Sequence, residues 1–330
     1  MKNYFITEIA SAHMGNINLV KHITNIHKTT NSNFIKYQIF KAKNLFSKKN
    51  KNFKNFKRLE ISFSKWEKII KMYMKKNNII LEPFDEEIYN FCKKFKKNVL
   101  IKISSSESDN LTIINDAIKN FRRVFINISG LGLKKISKLI KLIKGSKKKI
   151  IFMYGFQSYP TKEKNLRFSF FNYLKKKGFD YGYADHSRYG LNTKAINLCS
   201  RALKINKCKY IEKHVCHDIK QKPNDYITSI NIKDIDKFIE MINKSKKKVK
   251  ISKLKKISDD EMNYFLRFYK FAFAKKNILK NSAIDKKNIK FLRSSSSYSG
   301  LTRLDLIVNK KFILKDNIKK DEQIFFKNLI

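Results

Sequence analysis

Eight short runs rich in β-branched and aromatic residues punctuate the first three quarters of the chain. They are YFITEIA (4–10), FIKYQIF (34–40), NIILEPF (78–84), VLIKISS (99–105), VFINISG (124–130), IIFMYGF (150–156), YGYADHS (181–187) and YIEKHVC (210–216). Between them lie stretches such as INLVKHITNIH and ISKLIKLIK, where apolar residues recur every three or four positions and predict amphipathic helices. One helix is expected to begin at SKWEKII, where Ser64 and Glu67 have the spacing of a capping box. After the eighth run, IKDIDKFIEMINK reads as the helix that follows it. Eight strand–helix alternations within about 245 residues predict an α/β fold of the (β/α)8 TIM-barrel type. The competing doubly wound open sheet is disfavoured. No GxGxxG follows the first strand, and polar residues end almost every strand instead of gathering at one crevice.

Past the eighth unit the texture changes. Residues 244–260, KSKKKVKISKLKKISDD, are Lys-rich with weak periodicity. The tail then has short β-like runs, FAFAKK, IKFLR, LDLIVNKKFI and QIFF, with SSSS at 294–297 as a loop. The expected organisation is a barrel at 1–245, a linker at 246–269 and a small β-rich domain at 270–330.

In a barrel of this kind the C-terminal ends of the strands form the active face. Those ends carry Glu8 and His13, Lys36 and Gln38, Glu82 and Asp85, then Lys102, Ser105 and Glu107. They continue with Gln157 and Tyr159, Asp185 and His186, and His214 and His217. Side chains alternate faces along a strand, so Lys36 and Gln38 oppose Ile35, Tyr37 and Ile39, and Lys102 opposes Ile101 and Ile103. If the apolar set packs on the helices, two lysines point into the barrel. A buried lysine needs a counter-charge, which an anionic ligand would supply, or alternatively Glu8 or Glu107. His186 and His214 end adjacent strands, and two neutral imidazoles side by side suit a divalent transition metal with open positions. His13, His22 and His27 read as hydrogen-bonded structural residues. Cys216 and His217 beside His214 fit no standard structural zinc spacing and read as bystanders.

Composition adds limits. A hydrophobic fraction of 42% is that of a globular protein, and no apolar run reaches membrane-spanning length. Glu8 interrupts the start where an export signal needs an apolar stretch, and four cysteines without CxxC spacing predict reduced thiols, so a cytoplasmic location is expected. The formal charge of +47 points toward anions, yet only nine of the 74 basic residues are Arg and they are spread from end to end. Nucleic-acid recognition would cluster its charge and draw on bidentate Arg, so no specific nucleic-acid partner is expected; attraction of anionic metabolites is.

The motifs TEIASAHMGNINL, IKYQIF, EPFD, IKISSSE, GFQSYPT, YADHS and IEKHVCHD occur in this order. Together they resemble the sialic acid (nonulosonic acid) synthase family, and residues 274–324 resemble its C-terminal antifreeze-like (SAF) domain. The resemblance spans nearly the whole chain. It implies a phosphoenolpyruvate-dependent transferase that joins phosphoenolpyruvate to an N-acetylmannosamine-type sugar and releases phosphate. It implies a Mn2+-like divalent cation (Mn2+ or Mg2+) on His186 and His214. Lys36, Lys102 and Ser105 match phosphoenolpyruvate contacts, and Glu8 and Glu107 match acidic residues placed for proton transfer and sugar contact. Gln38, Tyr159 and Asp225 match sugar-binding positions. Arg293 matches an arginine that the family's dimer mate inserts over the substrate, which implies a domain-swapped homodimer. Several phosphate-site positions depart from the family: LEPF stands where STPF is common, replacing a Thr by Glu82; NISGL places Ile128, and ADH places Ala184, where the family has Ser. Gln157 replaces an Asn, and Ala12–His13 replaces an Asn–His pair. These changes leave open a metal-dependent barrel lyase or aldolase acting on another anion, and, from charge alone, a noncatalytic polyanion-binding protein.

Overall fold

The computed structural model describes residues 2–74, 78–155, 159–161, 163–247, 257–294, 300–308 and 311–330. Eight parallel strands form the barrel: β1 (Tyr4–Glu8), β2 (Phe34–Ile39), β3 (Ile79–Pro83), β4 (Leu100–Ile103), β5 (Val124–Asn127), β6 (Ile150–Tyr154), β7 (Asp180–Asp185) and β8 (Tyr210–Cys216). Each pairs with the next, and β1 also pairs with β8, which closes the sheet. The expected barrel is present. A ninth short strand, β9 (Ser229–Asn231), was not anticipated; it pairs with the end of β8 from His214 to Cys216, beyond where β7 stops.

The alternation in the sequence decides which side chains go where. Outward residues such as Ile35, Tyr37, Ile39, Ile101 and Ile103 join one large core with the surrounding helices. Inward residues fill the lower barrel with Ile6, Ile80, Leu100, Phe125, Ile151, Met153 and Tyr210. Gly182 is needed in this plug, because a Cβ there would lie 2.6 Å from Met153 Sδ and 2.7 Å from Tyr210 Cβ. Above the plug the inward positions turn ionic.

Local expectations met mixed outcomes. The helix at Ile17–His27 coincides with INLVKHITNIH, capped by Asn16. The helix expected from Ser64 instead spans Phe63–Tyr73 with Ser62 at its N-cap, so Ser64 lies inside it. The capping box therefore does not form: Ser64 bonds Ser62 at 3.1 Å and Glu67 pairs with Lys71 at 2.6 Å. Two short helices, Ala42–Leu45 and Phe53–Leu59, are inserted after β2 and carry part of a separate apolar cluster with Phe40, Phe46 and Phe84.

The last part of the expected linker is a helix, Asp259–Phe268, capped by Ser258 on the Glu261 N–H at 3.3 Å with acidic residues in its first turn. It docks through Glu261, whose carboxylate meets Arg167 Nη2 at 2.6 Å and accepts the Gly130 N–H at 2.9 Å. The tail contains an antiparallel pair, β10 (Lys270–Ala274) and β11 (Ile289–Arg293), and further bridges that link it to residues 313–329. It has its own small core around Ala272, Ile278, Leu301, Leu314 and Ile324. LDLIVNKKFI is not a strand at its start: Arg303–Val308 is helical. Thr302 and Asp305 bond reciprocally there, N–H to carboxylate at 2.9 Å and N–H to hydroxyl at 3.3 Å, and this local cap overrides the β propensity of Leu-Ile-Val. No helix among the described residues is long and apolar enough to cross a membrane.

Candidate active site

The barrel mouth opens into a cavity of about 510 Å³, within the usual range of small-molecule sites. The residues expected to act together converge on it. Glu8, Lys36, Gln38, Lys102, Ser105, Tyr159, His186, His214, Asp225 and Arg293 all line it. Strand register explains the inner group: Glu8 lies level with Lys36 on one side and with His214 on the other, and Gln38 lies level with Glu82.

The two lysines do point inward, and both are buried. Lys36 Nζ has three carboxylates around it, Glu8 and Glu82 at 2.8 Å each and Glu212 at 3.1 Å. Lys102 Nζ meets Glu212 at 2.5 Å. Burial opposes the charge on Lys36, but Glu212, Glu8 and Glu82 outweigh it and hold the ammonium well above its usual range. Burial likewise opposes ionisation of Glu8, and Lys36 with His214 outweighs it, so this carboxyl sits well below the usual range. For Glu212 burial wins against Lys102 and Lys36, and its value is raised. Glu212 shares a face of β8 with His214, two positions on; its role as the bridge between the two lysines depends on β2, β4 and β8 meeting in space.

His186 and His214 stand with ring centroids 5.3 Å apart and nearly perpendicular planes. Burial, with His214 next, keeps His186 well below its usual value and therefore neutral. His214 is raised instead, because Glu8 outweighs the effect of burial; its Nε2 lies 3.3 Å from Glu8 Oε2. His214 Nδ1 is buried without a hydrogen-bond partner among the described residues. Among the described residues no group of three or more His, Cys, Asp or Glu has the disposition of a metal cage. A neutral imidazole beside an orphaned buried nitrogen fits a cation that takes two protein nitrogens and draws its other ligands from substrate or water. Tyr159 packs against both rings, 4.6 Å from His186 and 6.1 Å from His214.

Three expected positions lie elsewhere. Glu107 is buried outside the cavity, held by Lys270 at 2.9 Å and Arg303 at 3.1 Å, both from the tail, and by the Asn110 amide at 3.0 Å. Asp185 faces the outer helices: it pairs with Lys213 at 2.6 Å and accepts the Ser187 and Tyr183 hydroxyls. Asp85 caps the helix Glu86–Lys93 through the Ile88 N–H. Gln157 lies outside the described residues. His13 and His27 are structural, bonded to the Gly15 N–H and to Thr7 Oγ1, and burial lowers both imidazoles to about 4. His217 meets His22 edge-on at the surface, ring centroids 4.4 Å apart, and all four cysteines are buried and unpaired.

The outer wall of the cavity was missed. The helix Asp259–Phe268 contributes Asp260, Asn263, Tyr264, Arg267 and Phe268. Its Ser-capped acidic first turn was the available signal, masked by the lysine run before it. Arg293 reaches the cavity from the tail of the same chain. Its guanidinium is enclosed by Phe46, Phe56, Phe84 and Phe268 at 5.0–5.7 Å, with no ion pair among the described residues, and burial lowers it to about 10.

A model of the NeuB family matches residues 8–254 of the chain. N,N'-diacetyllegionaminic acid synthase of Campylobacter jejuni is 25% identical, over 98% of this chain and 99% of that protein. Among solved structures, the spore coat polysaccharide biosynthesis protein spsE of Bacillus subtilis superposes with a TM-score of 0.80 at 18% identity, over 100% of this chain and 95% of that one. The N-acetylneuraminic acid synthetase of Leptospira borgpetersenii, solved with citrate, superposes with a TM-score of 0.65 at 24% identity, over 74% of this chain and 83% of that one. The two structural likenesses concern the fold.

Proposed function

This chain belongs to the NeuB family, and on that premise we propose that it is a nonulosonic acid synthase that condenses phosphoenolpyruvate with an N-acetylmannosamine-type sugar and releases phosphate. The observation that carries the reading is the meeting of the His186–His214 pair, Glu8 and two inward lysines in one cavity at the C-terminal ends of the strands.

In this reading C3 of the enolpyruvyl group attacks the aldehyde carbon of the open-chain sugar. The new C–C bond forms while the aldehyde oxygen takes a proton. Water adds at C2, and the C–O bond to phosphate then breaks. Lys36 and Lys102 hold the anionic ends of phosphoenolpyruvate, with the Ser105 hydroxyl as a further donor. Glu8 is the carboxylate in position to move a proton at the reacting carbons, since it lines the cavity beside His214. Gln38, Tyr159, Asp225 and Arg293 orient the sugar. A divalent cation, Mn2+ or Mg2+, held by His186 and His214 would supply Lewis acidity at the aldehyde oxygen. Glu107 takes part only if the tail cations release it.

Incubating the protein with Mn2+, phosphoenolpyruvate and a panel of N-acyl hexosamines tests this by phosphate release. A second reading, a metal-dependent lyase or aldolase acting on a different anion, is favoured by Glu82, a carboxylate standing at the expected phosphate site. Absence of phosphate release with every acceptor would select it.

A further inference from the structure

An ammonium group has three N–H donors, and those of Lys36 face three carboxylates: Glu8, Glu82 and Glu212. With Lys102 included, two lysine ammonium groups stand among three carboxylates, and every donor of Lys36 already has a carboxylate facing it. An incoming phosphate oxygen reaches Lys36 only if a carboxylate gives way.

The three are not held equally. Glu8 is also bonded to the Gln38 amide at 2.7 Å and lies against His214. Glu212 is shared with Lys102 at 2.5 Å. Apart from Lys36, the tie of Glu82 among the described residues is a longer bond from Gln38 Nε2 at 3.3 Å. Glu82 also sits one inward step above Lys36, because its register partner on β2 is Gln38 and that of Lys36 is Ile80. It is the carboxylate nearest the mouth and the most weakly held. Arg293, without an ion pair among the described residues, lines the same cavity and feels the charge of Glu82, so a displaced carboxylate has a second cation to turn to.

We propose that Glu82 is an internal competitor for Lys36: its carboxylate occupies the place of a phosphate oxygen and must be displaced for a phosphorylated substrate to bind. It thereby sets the affinity of the site for phosphate-bearing anions. The inference rests on the reading of Lys36 and Lys102 as the anion-binding pair, and its test separates the two.

The full chain is titrated with inorganic phosphate in the wild type, in Glu82→Gln and in Glu82→Thr, with near-UV circular dichroism reporting the fold. Both variants leave Lys36 with Glu8 and Glu212 as counter-charges. Phosphate binding is expected to tighten at least tenfold in each variant that folds, and KM for phosphoenolpyruvate is expected to fall in parallel, with the gain carried by KM rather than kcat. Unchanged or weaker phosphate binding would overturn the proposal and make Glu82 a residue that positions Lys36. Tighter phosphate binding without a lower KM would also overturn it. If no acceptor supports phosphate release in any form of the protein, the synthase reading fails, while the phosphate titration still decides the competition at Lys36.

Discussion

Replacing Glu261 tests whether the outer wall of the cavity is built as described. The Arg167–Glu261 pair is 1% and 0% exposed, at 2.6 Å, and it ties the helix Asp259–Phe268 to the barrel. Arg167 Nε and Nη1 already lack partners among the described residues, and its guanidinium also lies over the Phe170 ring at 4.4 Å. Glu261→Ala leaves a buried cation without a counter-charge and removes the acceptor of the Gly130 N–H. Breaking a buried pair from one side costs ~3–5 kcal/mol, which at a few degrees per kcal/mol lowers Tm on the order of 10 °C. Glu261→Gln keeps an acceptor and should lose less. The double change Arg167→Met with Glu261→Leu removes both charges and should recover most of the loss, since apolar replacement of a buried pair is often near neutral. Thermal and urea denaturation of the full chain measure the cost, and amide exchange over residues 259–268 reports whether this helix is the part released. A cost under about 1 kcal/mol for Glu261→Ala, with unchanged exchange in the helix, would refute the docking and with it the cavity wall of Tyr264, Arg267 and Phe268.

Four further outcomes follow from the same geometry. His186→Ala and His214→Ala should each lower bound Mn2+ to a small fraction of the wild-type content while the circular dichroism spectrum is retained; normal metal content in both would remove the metal assignment. Glu107 titrates low because Arg303 and Lys270 outweigh its burial. A depressed carboxylate contributes stability above its unfolded value of ~4.3 and loses it only as pH falls through the lower folded value, so tail docking should be flat from pH 7 to 5 and weaken below, and Glu107→Gln should abolish that acid limb in pH-dependent denaturation. Gly182→Ala pushes a methyl against Met153 and Tyr210 and should destabilise by ~1–3 kcal/mol in urea titration. Mixing Arg293→Ala with His186→Ala chains and refolding them together distinguishes the origin of the arginine: no recovered activity is expected where the tail serves its own barrel, and recovery would indicate a swapped dimer.

The local rules in the sequence were enough to count the elements and to aim the inward side chains. Period-two alternation along β2, β4 and β8 separates Lys36, Lys102, Glu212 and His214 from the apolar residues that pack on helices, because a strand offers only two faces. The strand-end positions therefore supplied the ionic and imidazole floor of the cavity, Glu8, Lys36, Gln38, Glu82, Lys102, His186 and His214, but not its outer wall. What local pattern cannot carry is which charges meet. Three glutamates from β1, β3 and β8 converge on Lys36 because barrel closure puts β1 beside both β2 and β8. Glu107, drawn by the same motif logic toward the substrate, is buried instead by Lys270 and Arg303, more than 160 positions away. The helix at 259–268 looked like the end of a solvated lysine run, and it is the distant Arg167 that fixes it against the barrel. Sequence alone thus determined the eight barrel strands, their faces and the residue types at the strand ends, which depend on neighbours within a few positions. Tertiary structure decided the pairing of buried charges, because the energy of a buried ion is set by whatever partner the fold brings within about 4 Å.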